Sequence, residues 1–133
     1  MRTKTSVIEA IDIAGATPTQ VFAALTGSSV PGWRATKKRT EIAWSFDLVG
    51  DHATIKLHIA LATPTSLALV CTGETCDLGW VGTRPHLAFA STPTGTRVAV
   101  VHGGIPADGA GRDAWRQLFA ELAGTLESTQ IAA

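Results

Sequence analysis

Apolar and polar positions alternate with a period of two through most of the chain, and with a period near 3.6 only near the start and in one long stretch at the end. Thr5 to Ala14 carries Val7, Ile11 and Ile13 on one parity with Glu9 among them, which predicts a first strand with one buried face. Thr17-Pro18-Thr19-Gln20 predicts a helix start, with Thr17 as N-cap, Pro18 at the first helical position and Gln20 closing a capping box. Val21, Phe22, Ala24 and Leu25 follow, and Gly27 is expected to stop this short helix. Ser28 to Arg39, with Pro31-Gly32-Trp33 and a basic end, predicts irregular backbone. From Thr40, Ile42, Trp44, Phe46 and Leu48 alternate with Glu41, Ser45 and Asp47 up to a turn at Gly50-Asp51. Ile55, Leu57, Ile59 and Leu61 then share a dry parity against Thr54, Lys56 and His58, and Pro64-Thr65 turns the chain again. Leu67, Leu69 and Cys71 make a shorter strand before a loop from Gly73 to Asp77. Leu78 to Ser91 is a further extended stretch, broken or bulged near Pro85, which cannot donate to a central ladder. Pro93-Thr94-Gly95 turns into Thr96 to His102, where Val98, Val100 and His102 share a parity, and Gly103 to Gly111 connects onward.

The last helix, read as Gly111 to Glu127, organises the rest. Trp115, Leu118, Phe119, Leu122 and Leu126 fall on one stripe, while Arg112, Asp113, Arg116, Gln117, Glu121 and Glu127 occupy the wet side. Burying five such side chains is worth roughly 8 to 15 kcal/mol before entropy, an upper bound because the unfolded chain already hides some apolar area. The apolar material able to cover that stripe lies in the alternating segments before it. Consecutive strands with helices set apart from them predict an α+β fold, an antiparallel sheet with its helices on one face. Six strands are legible, and a seventh is expected from dividing Leu78 to Ser91 at its bulge.

At 133 residues the chain makes one domain with a core of its own. Eleven basic and eleven acidic residues cancel, so overall charge argues for neither nucleic acid nor an anionic membrane as partner. Arg34, Lys37, Lys38 and Arg39 form the one charge run, read as a solvated loop, with a basic lip beside Trp33 as the sharper reading. No stretch approaches a membrane span, and the N-terminal residues are too polar for a secretory signal, so a cytoplasmic protein is expected. Cys71 and Cys76 are then expected to be reduced.

Several segments carry a resemblance. Ala16-Thr17-Pro18-Thr19-Gln20-Val21-Phe22-Ala23-Ala24-Leu25, Trp80-Val81-Gly82-Thr83, Gly95-Thr96-Arg97-Val98 and His102-Gly103-Gly104-Ile105 with Trp115 resemble the START/Bet v 1-like superfamily, and within it the activator-of-Hsp90-ATPase-like branch of SRPBCC domains. The resemblance runs from about Thr5 to Glu127. It implies a helix-grip fold, in which a curved seven-strand antiparallel sheet wraps the long C-terminal helix, with short helices between the first two strands and a cavity between sheet and helix. It also implies binding of a small hydrophobic molecule, aromatic or lipid-like. A polyketide cyclase or aromatase activity and a co-chaperone role as ATPase activator are the alternatives it offers.

Four tryptophans, four phenylalanines and no tyrosine suit an apolar pocket with little hydrogen-bonding demand. The expected ligand-binding residues are Trp33, Trp44, Phe46, Leu57, Ile59, Leu69, Trp80, Phe89, Val100, His102, Trp115 and Phe119. The bland reading of each is core packing, and for His102 a satisfied core histidine. His52, His58 and His86 fall on the outward parity and are read as solvated, and Glu9 as a hydrated carboxylate at a strand end. The histidines face opposite ways and the cysteines lack C-x2-C spacing, so no metal and no cofactor is expected. No G-x-S-x-G elbow or phosphate loop is present, and no catalytic residue is nominated. Whether any reaction is catalysed stays open, as does self-association into a homodimer.

Overall fold

The computed structural model describes residues 3–27, 30–36, 40–48, 51–75 and 78–132, with only the backbone at 48, 51 and 128–132. The Gly50-Asp51 turn, the basic run at 37–39 and Cys76 therefore lie wholly or partly outside the described residues. In chain order the elements are β1 (Lys4–Ala14), α1 (Pro18–Thr26), β2 (Trp33–Ala35), β3 (Glu41–Leu48), β4 (Asp51–Thr63), β5 (Ser66–Glu74), β6 (His86–Ser91), β7 (Gly95–Pro106) and α2 (Ala110–Ala132). The strands form one antiparallel sheet in the order β1-β7-β6-β5-β4-β3-β2, which brings the first strand beside the last.

Local chemistry accounts for both helices. At α1, Thr17 Oγ1 accepts from the Gln20 amide at 3.2 Å and Gln20 Oε1 accepts from the Thr17 amide at 2.9 Å, so the capping box closes as read. Its buried face is Val21, Ala24 and Leu25. At α2, Asp108 Oδ1 accepts from the Ala110 amide at 3.0 Å, and Ala114, Trp115, Leu118, Phe119, Leu122 and Leu126 are buried against the sheet. The expected stripe is the buried one, with Ala114 added to it.

β7 runs on to Pro106, through the first part of the connection expected from Gly103 to Gly111, and two further details differ from the reading of the sequence. The seventh strand is not cut from Leu78 to Ser91. It is β2, whose three residues pair Trp33 with Trp44, Arg34 with Ala43 and Ala35 with Ile42. Three residues are too few to carry a period, so an edge strand of this length leaves no signature. The 78–85 segment instead turns at Gly79 (φ 74°) and Gly82 (φ 87°), and β6 begins only after Pro85. The second difference is in β4, where the register against β5 shifts between Ile59 and Leu61. Ile59 pairs with inward Leu69, but Leu61 pairs with outward Ala68, so the bulge carries Leu61 off the dry face and leaves it 62% exposed.

Candidate aromatic site between sheet and helix

Inward positions of β2, β3 and β7, the turn before β6 and the first turns of α2 deliver their rings to one place. Trp33 and Trp44 are register partners on β2 and β3, and their ring centres lie 5.4 Å apart. Trp44 also meets Phe46 at 4.6 Å, Trp115 at 4.6 Å and Trp80 at 5.8 Å. Trp80 lies parallel to Trp115 at 6.5 Å and meets His102 edge-on at 4.8 Å, and Phe119 closes the group at 6.3 Å from Trp115. All four indoles are at most 2% exposed. Such tilted and edge-on pairs contribute about 0.5 to 1.5 kcal/mol each beyond the area they bury.

Buried indoles and imidazoles need polar partners, and Trp33, Trp115 and His102 have them. Trp33 Nε1 donates to the Leu25 carbonyl at 2.8 Å, tying β2 to α1. Trp115 Nε1 donates to His102 Nδ1 at 3.1 Å, and His102 Nε2 lies 2.8 Å from Thr83 Oγ1. An indole N–H can only donate, so Nδ1 must be the acceptor and the proton of the neutral ring must sit on Nε2. His102 therefore donates to Thr83, whose hydroxyl in turn donates to the Trp80 carbonyl. The chain of bonds Trp115, His102, Thr83, Trp80 thus ties α2 to β7 and to the turn before β6. It also fixes the tautomer of His102 and holds the ring neutral, and burial pushes its pKa down to about 4.

That turn has a second support. Both carboxylate oxygens of Glu74 accept backbone amides, Oε1 from Gly79 and Oε2 from Trp80, each at 3.2 Å. On the other side Glu9, only 16% exposed at its side chain, meets Arg112 Nε at 3.2 Å and Arg116 Nη2 at 3.3 Å, an ion-pair bridge from β1 to the wet edge of α2. Both arginines are more than half exposed, which limits the pair to a modest contribution. Cys71 is buried and its thiol is pushed up to about 11 by burial, so it keeps its proton at neutral pH.

Of the expected ligand-binding residues, Trp33, Trp44, Phe46, Trp80, His102, Trp115 and Phe119 are brought into mutual ring contact. Leu57, Leu69, Phe89 and Val100 are buried in the same core, and Ile59 packs against it half-buried. A depression of ≈ 240 Å³ opens at the β3 side of α2, lined among others by Pro31, Gly32, Trp44, Phe46, Gln117 and Leu118. Trp44 and Phe46 therefore belong both to this depression and to the aromatic cluster. His52, His58 and His86 are exposed, as read. Thr83 and Glu74 were not legible as site-building residues, because a threonine and a glutamate flanking a loop carry no spacing signal. Among the described residues no group of three metal-ligating side chains converges.

No protein-family model matches the chain, and no curated protein matches its sequence. Solved structures do match it. The Aha1 dimer from Colwellia psychrerythraea superimposes with a TM-score of 0.60 at 17% identity, over 91% of this chain and 92% of that one. An AHSA1-like protein from Aeromonas hydrophila gives 0.64 at 12% identity, over 94% of each chain. A START superfamily protein from Mycobacterium smegmatis gives 0.62 at 11% identity, over 94% of this chain and 96% of that one. With its curled seven-strand sheet and long C-terminal helix, the chain has the helix-grip fold shared by the AHSA1-like and START superfamily proteins.

Proposed function

We propose that this domain binds a small apolar molecule, aromatic or lipid-like, between the sheet and α2, entering from the depression beside β3. The observation that carries this reading is the double placement of Trp44 and Phe46, which face the depression and also touch the buried indoles. A ligand with a flat apolar face can replace ring-to-ring contacts with contacts of the same kind, so little is lost when the rings part for it. Recognition is then by shape and apolar area. His102 offers a ligand no unpaired nitrogen, since Trp115 and Thr83 take both, and its role is to hold the cluster's walls. Binding is proposed as the whole function, without a chemical step. Titration with an anilinonaphthalene probe tests it. Saturable binding with one site per chain, weakened at least tenfold by Trp44→Leu in a protein that still melts cooperatively, is expected. Binding that Trp44→Leu and Phe46→Leu both leave unchanged contradicts it.

A further inference from the structure

The N–H groups of the four buried indoles divide into two kinds. Those of Trp33 and Trp115 are bonded, to the Leu25 carbonyl and to His102 Nδ1. Those of Trp44 and Trp80 have no acceptor among the described residues, although the two residues are only 2% and 1% exposed. A fully buried N–H without a partner carries a desolvation penalty, and no side-chain nitrogen or oxygen of the described residues is left in that condition. The Trp44 N–H therefore reaches open space, and the space that Trp44 lines is the depression beside β3. Other polar side chains there are already engaged. Ser45 Oγ lies 2.9 Å from Thr54 Oγ1, His52 Nδ1 lies 2.7 Å from Asp47 Oδ1, and Gln117 Nε2 donates to the Asp47 carbonyl. Asp47 and Glu121 bring two carboxylates to the rim against the single imidazole of His52, and no lysine or arginine stands among the described lining residues. The rim is negative whichever form that imidazole takes.

We infer that the ligand of this site is an uncharged flat molecule bearing an acceptor oxygen, a ketone or ether on an apolar body, seated with that oxygen on Trp44 Nε1. This rests on the ligand-binding function proposed for the site and names the chemistry the site selects. An indole N–H donates and cannot accept, so a ligand group that only donates finds no partner there. Trp44 also meets Phe46 and Trp115 at 4.6 Å each, so a ligand held by this bond lies against the aromatic cluster at once. One placed polar group orients a molecule whose affinity comes from apolar area, the usual division of labour in a small-molecule site. The rim carboxylates act by exclusion. A fatty acid or an aromatic carboxylate would set a negative charge beside Asp47 and Glu121 with no lysine or arginine to answer it, and such repulsion separates ligands of the same shape. Both carboxylates stand at the surface, so the exclusion weakens as salt rises. Of the aromatic and lipid-like molecules that shape alone admits, the anionic ones are therefore turned away.

Three naphthalenes of nearly one shape test it on the intact chain: 2-acetylnaphthalene, 2-isopropenylnaphthalene, in which a CH₂ replaces the oxygen, and 2-naphthoate. Calorimetric titration gives the affinity of each. The ketone should bind about fivefold or more tightly than the naphthoate at low salt, and the gap should narrow at high salt and in Asp47→Asn/Glu121→Gln. Trp44→Phe keeps a ring but has no N–H, and should lower the ketone's affinity relative to the hydrocarbon's by about two- to tenfold, the worth of one hydrogen bond. If that variant folds poorly, the wild-type Trp44 N–H resonance decides, moving further downfield with the ketone than with the hydrocarbon. A ketone-to-hydrocarbon ratio unchanged in folded Trp44→Phe overturns the inference, as does a Trp44 N–H that responds alike to both or a naphthoate that binds as tightly as the ketone. Those results leave the ligand-binding function standing, whereas failure of all three naphthalenes to bind removes that function as well.

Discussion

Lowering the pH from 7 to 5 should cost the folded protein about 2 kcal/mol through His102 alone. The unfolded chain holds this imidazole near its ordinary value of about 6.5, and the folded chain holds it down at about 4 by burial. Between those values the unfolded state binds more protons than the folded one, so stability rises with pH across that window. The contribution is whole above about 6.5, is lost as pH falls toward 4, and amounts to roughly 3 kcal/mol once both states are protonated. The geometry gives the reason: protonating Nδ1 sets its new N–H against the Trp115 N–H that it accepts at 3.1 Å, inside a fully buried ring cluster. Urea unfolding of the wild type and of His102→Asn at pH 7, 6 and 5 is the assay. The asparagine oxygen can take the place of Nδ1 and keep the Trp115 bond, but Thr83 loses its donor, so the variant should be about 1 to 3 kcal/mol less stable at pH 7. Carboxylates titrate alike in both proteins, so the gap between them should shrink by about 2 kcal/mol at pH 5. A gap that stays constant with pH would refute the neutral, doubly bonded histidine.

Further outcomes follow from the same structure. Phe119→Asp buries a carboxylate on the gripped stripe of α2, and loss of cooperative thermal unfolding by circular dichroism is expected, since the penalty of several kcal/mol is comparable to the whole stability of a domain. At Gly95 a Cβ would run into the Ile13 carbonyl and come within 3.0 Å of the Ala14 Cα, so Gly95→Ala should lower stability by about 2 kcal/mol or more in a denaturant melt. Glu74→Gln keeps one acceptor for two amides, and hydrogen exchange at Gly79 and Trp80 should speed up about tenfold while β1 and β7 exchange unchanged.

The long helix, the capping box and the inward parity of β3, β5 and β7 were legible because each repeats one physical rule over several residues. Trp115, Leu118, Phe119, Leu122 and Leu126 are buried where a period of 3.6 puts them. What stayed hidden turns on single residues. The three residues of β2 repeat nothing, and the bulge that turns Leu61 outward depends on one extra residue opposite β5. The candidate site was legible as a set of inward aromatics but not as a bonded arrangement. Parity placed His102 inside, yet the partners that decide its chemistry, Thr83 and Trp115, stand 19 and 13 residues away on other elements. Thr83 was in view only as part of the Trp80-Val81-Gly82-Thr83 resemblance, with no role attached.

The indole N–H signals of the four tryptophans in a nitrogen–proton correlation spectrum test the ligand-binding account most directly. As an anilinonaphthalene probe is titrated in, the Trp44 signal should move furthest, because that ring alone among the four faces both the depression and the buried cluster. Trp33 and Trp115, whose N–H groups are bonded to the Leu25 carbonyl and to His102, should keep slow exchange with solvent throughout. Saturation of the probe with all four signals unmoved would place its binding elsewhere on the protein and contradict the account.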